Sequence, residues 1–384
     1  MIQATNQRRE RLANAISARA EAPGAGRTQQ ELQVTALEAY PLREPVSGRR
    51  YTVVRVQTNS GLIGFGECGS VSAEDLARVR PLVLGKPATA YETVRRQLSA
   101  VPNLQAAVNI ALLDIVGKWS KAPLFQVLGG PTRNKARAIA SLEGQTVDAL
   151  SGSMKRAREA GYRAFLVPVP TVAARNQGQA FVHGVQKRME SLRAAGGEGL
   201  DFALSGGESL SAGDASSVAS ALERFHLLWF DEPCRLSNLS AVRKIAAESV
   251  TPLGFGTHLN HGGDFQDLLR EEVADVLRPS LALNGITQIR RIAALAETYY
   301  VAVAPYHDGG PIGTAAALHL AASLPNFVIQ QIPLPEAEAD RRMRAELTGT
   351  SVEVVKEGFA ALPVGAGLGI TVRQEALEKY KERA

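Results

Sequence analysis

From Lys135 onward the chain alternates between short apolar runs and charged, alanine-rich helical segments, and this alternation limits the possible folds more than any other feature. The runs are "ARAIASLEG", "YRAFLVPVP", "LDFALSGG", "LLWFDEP", "TPLGFGTH", "DVLRPSL", "VAVAPYHD" and "NFVIQQ". Eight strand-like runs with helices between them are what a (β/α)8 barrel requires. The spacing agrees: Ser205, Asp231 and Thr257 each close a run, at intervals of 26 residues. In such a barrel the chemistry sits in the loops at the carboxyl ends of the strands.

The residues before the barrel read differently. "LQVTALEAYPL" and "RYTVVRVQTNSGLIGFGE" are β-branched runs broken by an Asn-Ser-Gly turn, which predicts a small antiparallel meander. A helix follows over 104–120, with Ala107, Ile110, Ala111, Asp114 and Ile115 at i, i+3, i+4 spacing. The expected fold class is therefore α/β: a TIM-type barrel over 135–345, with an α+β capping domain made from 31–134 and a C-terminal return over 346–384. In that return, "EVVKEGFAALPVGAGLGITV" reads as a strand pair joining the capping domain. Residues 1–30 read as a flexible tail.

Composition excludes several classes of partner. A hydrophobic fraction of 45% and a charged fraction of 21% are those of a globular chain, neither disordered nor fibrous. The formal net charge is +5, but the first thirty residues hold five arginines against two glutamates, so the body carries only about +2, with no clustered basic face for nucleic acid. No apolar run approaches the ~18 residues of a membrane helix. Cys68 and Cys234 are too far apart in sequence to suggest a disulfide framework or a metal pair. A cytoplasmic protein with a small-molecule partner is the expectation.

Six stretches carry a resemblance: "GLIGFGECGS", "NIALLDIVGKWSKAPLFQVLGGP", "WFDEP", "LNGIT", "GGPIGTAAALHLAASLPNF" and "LPVGAGLGI". In this order they are similar to the mandelate racemase and muconate lactonizing group of the enolase superfamily, from about Leu32 to the C-terminus. The resemblance implies a capped barrel and a homo-oligomer. It also implies Mg2+ held by three acidic residues on successive strands, with a lysine or histidine base abstracting a proton beside a carboxylate. That proton is very weakly acidic, so the enediolate formed by its loss needs a nearby positive charge. The stretch "GGPIGTAAALHLAASLPNF" resembles the acid-sugar dehydratases most, which implies a hydroxy-acid or sugar-acid ligand.

Carried over position by position, the motif departs from the family. The three ligand positions hold Ser205, Asp231 and Thr257, so one carboxylate remains where Mg2+ wants hard anionic oxygens. The lysine pair of the second barrel strand is replaced by Leu166 and Pro168. The histidine's aspartate partner becomes Ser280, the histidine position itself holds Tyr306 followed by His307, and a last-strand glutamate becomes Gln331. The expectation is a site without Mg2+ or any other cofactor.

Polar groups nevertheless gather at the implied strand ends: Glu143, Glu208, Asp231, Glu232, His258, His261, Asn284, His307 and Asp308. Three readings remain open. In one, His307 or His258 is the base of a rebuilt lyase or isomerase, oriented by Asp231 or Asp308, with Tyr306 or Asn284 donating to the developing oxyanion. In another, His258, His261, Asp231 and His307 bind a different metal such as Zn2+. In the third, catalysis is lost and the protein binds an acid-like ligand. Glu143, Asn284 and Asp308 are candidate substrate contacts. Candidate partners for the ligand's carboxylate are Arg278 and the arginines of "REPVSGRR", Arg43, Arg49 and Arg50. "GGPIG" reads as a turn into a helix N-terminus able to receive an anion. His319 reads as a packed histidine, and "GAGLG" as a turn.

Overall fold

The computed structural model describes residues 32–172, 176–349 and 351–382. The tail assigned to residues 1–30 lies outside the described residues.

Three strands open the chain, β1 (Val34–Arg43), β2 (Arg50–Thr58) and β3 (Ile63–Cys68), paired antiparallel in sequence order. The helix Pro102–Trp119 lies across β3 with nearly all its residues buried. The glycines of "GLIGFGE" explain how close it comes. A Cβ on Gly64 would fall 2.1 Å from the carbonyl oxygen of Ala111, and one on Gly66 would fall 1.9 Å from that of Ala107. No residue with a side chain fits between strand and helix there.

The barrel strands are β4 (Lys135–Ser141), β5 (Ala164–Pro168), β6 (Asp201–Ser205), β7 (Phe230–Asp231), β8 (Leu253–Phe255), β9 (Val276–Leu277), β10 (Ala302–Val303) and β11 (Gln330–Gln331), one in each of the eight apolar runs. Each pairs parallel with the next from β4 to β10. A parallel bridge between Val303 and Phe327 joins the last two, and β11 pairs parallel with β4, closing the ring. The protein is an α/β barrel with a cap.

The period-two alternation of a strand sorts the side chains. Ile139, Ala164, Ala203, Trp229, Val276, Ala304 and Ile329, joined by Leu166, form a cluster of their own, while Phe165, Phe202, Phe230, Phe255 and Leu277 belong to the larger core shared with the helices. Two residues further along each strand from that inner cluster stand Ser141, Leu166, Ser205, Asp231, Arg278, Tyr306 and Gln331. The next inward layer, at the carboxyl end, is thus fixed by register alone.

One expectation needs correction. The strand pair of the C-terminal segment, β12 (Val355–Lys356) and β13 (Phe359–Ala361), joins the barrel rather than the capping sheet: β13 runs antiparallel to β4 over Lys135–Arg137. Those residues precede the part of β4 that pairs with β5 and β11, so their ladder groups are free to receive another strand. The chain then turns to the cap, where Leu124 N donates to Gly367 O and Lys381 bridges to Leu42.

Asp114 fastens this return. Buried in the helix Pro102–Trp119, its carboxylate accepts from Phe65 N (3.0 Å), Leu368 N (2.8 Å) and Lys118 Nζ (2.7 Å). One side chain therefore ties β3, the cap helix and the C-terminal segment together. Burial pushes its pKa up despite these donors. Asp114→Ala strands two buried N–H groups and should lower stability in urea unfolding by about 3 kcal/mol; a loss below about 0.5 kcal/mol, the size of an ordinary surface substitution, would show that the clamp is not needed.

Candidate functional site

At the carboxyl ends of the strands lies a cavity of about 250 Å3. Its floor is the layer set by strand register, with Ser205, Asp231, Tyr306 and Gln331 exposed to it. Its walls come from the loops: Glu143 after β4, Glu232 after β7, Thr257 and His258 after β8, and Asp308 after β10. The cap contributes Arg49, the residue just before β2.

Asp231 is not a free carboxylate. Trp229 Nε1 donates to its Oδ1 at 2.8 Å, Arg278 Nε donates to the same oxygen at 2.8 Å, and Arg278 Nη2 reaches Oδ2 at 3.4 Å. Gly254 makes room for this arrangement, since a Cβ there would fall 2.4 Å from the Trp229 ring and 3.2 Å from Asp231 Oδ1. The expectation that Arg278 meets a ligand is therefore corrected. It is 0% exposed, lies over the rings of Trp229 and Tyr306 at 5.0 and 5.7 Å, and donates from Nη1 to Ala304 O and from Nη2 to Gln331 Oε1. Asp231, expected as an acid–base group or metal ligand, is held in this ion pair.

The donor set does not suit Mg2+. Thr257 donates its N–H (2.7 Å) and hydroxyl (2.8 Å) to Glu232 Oε1, and Asp231 is occupied by arginine. Neither is placed as an anionic ligand for a hard cation. Among the described residues no group of three or more His, Cys, Asp or Glu is close enough to hold a metal. That corrects the set His258, His261, Asp231 and His307: His258 is exposed at the cavity, His261 precedes the helix Gly262–Arg270 outside its lining, and His307 is buried elsewhere.

His307 is the largest departure from expectation. Its Nε2 lies 3.1 Å from Gly310 O and 3.2 Å from the Thr314 hydroxyl, behind the mouth and against the cap. It lines a smaller cavity of about 100 Å3, whose wall shares Arg49 and Asp308 with the mouth. There the N-terminus of the helix Pro311–Ala321 does receive an anion, but from within the protein: Gly310 N and Gly313 N donate to the carboxylate of Glu67, at the end of β3. The turn "GGPIG" thus locks barrel to cap, and Arg344, bonded to Glu44, Glu353 and the Gly309 carbonyl, extends the same buried junction.

Three other expected site residues also lie outside the mouth. Asn284 donates to Leu259 O and Ser280 O, bracing the loop after β8. Arg50 pairs with Glu382 at 2.8 Å and faces the smaller cavity. Glu208 lines a separate cavity with Cys234. The structure does gather Arg49, Glu143, His258, Tyr306 and Asp308 around the mouth.

Two features could not be foreseen from residue type. Glu232, beside the motif aspartate, is 3% exposed and held in a left-handed backbone (φ 42°) with Oε1 accepting from Gly256 N, Thr257 N and the Thr257 hydroxyl. Burial raises its pKa, and the neighbouring charge of Asp231 raises it further. The left-handed turn at "DEP" aims it, and a residue with a Cβ there is a strained conformation that needs its surroundings to hold it. Second, Arg49 Nη1 is buried with no hydrogen-bond partner, at a wall common to both cavities. Tyr306, with its pKa raised by burial and by Asp308, stays a neutral hydroxyl.

The comparisons with known proteins agree with this architecture. The Enolase C-terminal domain-like model matches residues 149–376, and the Mandelate racemase / muconate lactonizing enzyme N-terminal domain model matches 35–129. The chain belongs to the mandelate racemase and muconate lactonizing group of the enolase superfamily. It is 25% identical to a D-xylonate dehydratase of Haloferax volcanii over 86% of this chain and 85% of that one. It is 26% identical to a D-mannonate dehydratase of Caulobacter sp. strain K31, covering 87% and 92%. Among solved structures, a mandelate racemase/muconate lactonizing enzyme from Jannaschia sp. CCS1 superposes with a TM-score of 0.83 at 24% identity, over 92% of this chain and 98% of that one, which establishes the common fold.

The junction predicts a pH effect. Burial raises Glu67 from 4.5 to about 7, against the pull of its donors and Arg344. Its contribution to stability is present at low pH and is lost as the pH rises toward 7. Burial lowers His307 from 6.5 to about 4, so its contribution is present above 6.5 and is lost as the pH falls toward 4. In the interval from 4.5 to 6.5 the two slopes oppose each other. Glu67→Gln removes one of them, and the variant's stability in urea should fall more steeply than wild type's as the pH drops through that interval. Parallel curves would contradict the assignment.

Proposed function

We propose that the barrel mouth takes the carboxylate of a sugar acid on Arg49 and dehydrates the acid by proton transfer between His258 and Glu232, without a divalent cation. The observation that carries this reading is the buried, unpartnered Nη1 of Arg49 at the cavity wall. An N–H of a charged group left without an acceptor costs free energy that an incoming carboxylate recovers. The names of the relatives, dehydratases of D-xylonate and D-mannonate, support an aldonic acid as that carboxylate.

In this scheme His258, exposed at the rim, removes the proton from the carbon beside the carboxylate. The electron pair shifts into the new C=C bond as the hydroxyl on the next carbon leaves. Glu232 supplies that hydroxyl with a proton, so it departs as water, and the enol tautomerises to a 2-keto-3-deoxy acid. Burial, and after it the charge of Asp231, raises the pKa of Glu232, the direction a general acid needs. Arg49 and the neutral Tyr306 hydroxyl face the developing negative charge.

A second reading, a receptor for the same acid without catalysis, is favoured by the second barrel strand, where Leu166 and Pro168 put no base at the mouth. Incubating the protein with aldonic acids in excess EDTA, in D2O, separates the two. Dehydration should yield 2-keto-3-deoxy acid, with activity falling about a hundredfold or more in His258→Gln and in Glu232→Gln. Arg49→Gln should weaken binding by about 2–3 kcal/mol, roughly a hundredfold in Kd. Arg49-dependent binding with no product and no deuterium exchange would establish the receptor; no binding of any acid would overturn both.

A further inference from the structure

The buried pair beneath the mouth has a meaning that is independent of which ligand sits above it. A carboxylate almost wholly withdrawn from water needs a cation, and the resemblance implies that in this position the cation is a divalent metal shared with two further carboxylates. Here those two positions are Ser205 and Thr257, and a guanidinium has moved in beside the one carboxylate that remains.

We infer that Arg278 is the built-in cation of this barrel, standing in for the divalent ion as the counter-charge of Asp231, so that the protein neither needs nor binds such an ion. The geometry is that of a permanent fixture. The guanidinium carbon lies over the rings of Trp229 and Tyr306, 5.0 and 5.7 Å from their centroids. Its Nε sits 2.8 Å from Asp231 Oδ1, and Nη1 and Nη2 reach Ala304 O and Gln331 Oε1 at 3.0 and 2.9 Å. Only a planar fork reaches all three acceptors at once; a lysine ammonium would lose most of these donors.

The exchange also accounts for the other changes as one. A single positive charge balances a single carboxylate, so acidic residues at 205 and 257 would leave the floor with uncompensated negative charge. Serine and threonine remove it. Gln331, in place of an acidic residue, offers Arg278 a neutral acceptor and passes the contact on to Ser141 through its Nε2 (3.1 Å). Thr257, no longer a ligand position with charge, donates to Glu232 instead. The tie also fixes Asp231 beside Glu232, where its charge keeps that carboxyl protonated more readily.

Thermal unfolding of the full chain, with no acid present, tests this separately from the dehydratase reading. Wild-type Tm should be the same in EDTA, Mg2+ and Mn2+; a cation-dependent rise would overturn the inference. Arg278→Gln leaves Asp231 buried without a counter-charge and beside a second carboxylate, so its Tm should fall and Mn2+ should recover several degrees. An Arg278→Gln protein as indifferent to Mn2+ as wild type would also overturn it. If that variant does not fold, Asp231→Asn combined with Arg278→Gln decides: with no charge left behind, the double variant should fold and ignore cations. If the double variant also fails to fold, Arg278 acts through packing alone and the inference falls.

Discussion

The ion pair between Asp231 and Arg278 is the interaction on which the site depends. Both partners are out of water, and each would be costly alone: removing one member of such a pair is worth about 3–5 kcal/mol because the other is left charged and unpaired. Their bond therefore constrains everything around it. It requires Gly254 to admit Trp229, it places Tyr306 over the guanidinium, and it turns Gln331 inward. It also determines what the mouth above can do, since a floor that is already neutral leaves the binding of an anion to the cap.

The cap supplies that charge through Arg49, so the position of the cap on the barrel matters as much as the barrel. Two buried carboxylates hold it. Asp114 ties the cap's strand and helix to the C-terminal segment, and Glu67 seats β3 on the N-terminus of the helix Pro311–Ala321. Both take backbone N–H donors from distant parts of the chain, which is a geometry that depends on the folded state and aligns the two halves of the mouth.

Much of the fold was legible in the sequence because it is written in periodicity. The eight apolar runs hold the eight barrel strands, and the glycines of "GLIGFGE" mark the place where the helix presses on β3. The site was legible only in part. Register places Asp231, Tyr306 and Gln331 in one inward layer, and Arg49, Glu143, His258 and Asp308 do meet around the mouth. His307 misled because one residue along a strand end reverses the direction of the side chain: Tyr306 faces inward and His307 faces the cap. Arg278 reads in sequence as a free cation; only the carboxylate brought to it from 47 residues away shows that it is already spent. Glu232 was legible as a group at the strand ends, but its burial and orientation were not, because its left-handed backbone and three donors are products of tertiary structure.

The most direct test of the account is a crystal of the wild-type protein soaked with Mn2+ and an aldonic acid, with anomalous scattering recorded at the manganese edge. The account predicts no manganese at Asp231, the Arg278 guanidinium in place against it, and the acid's carboxylate ordered on Arg49. A manganese peak within bonding distance of Asp231, with Arg278 displaced, would contradict it.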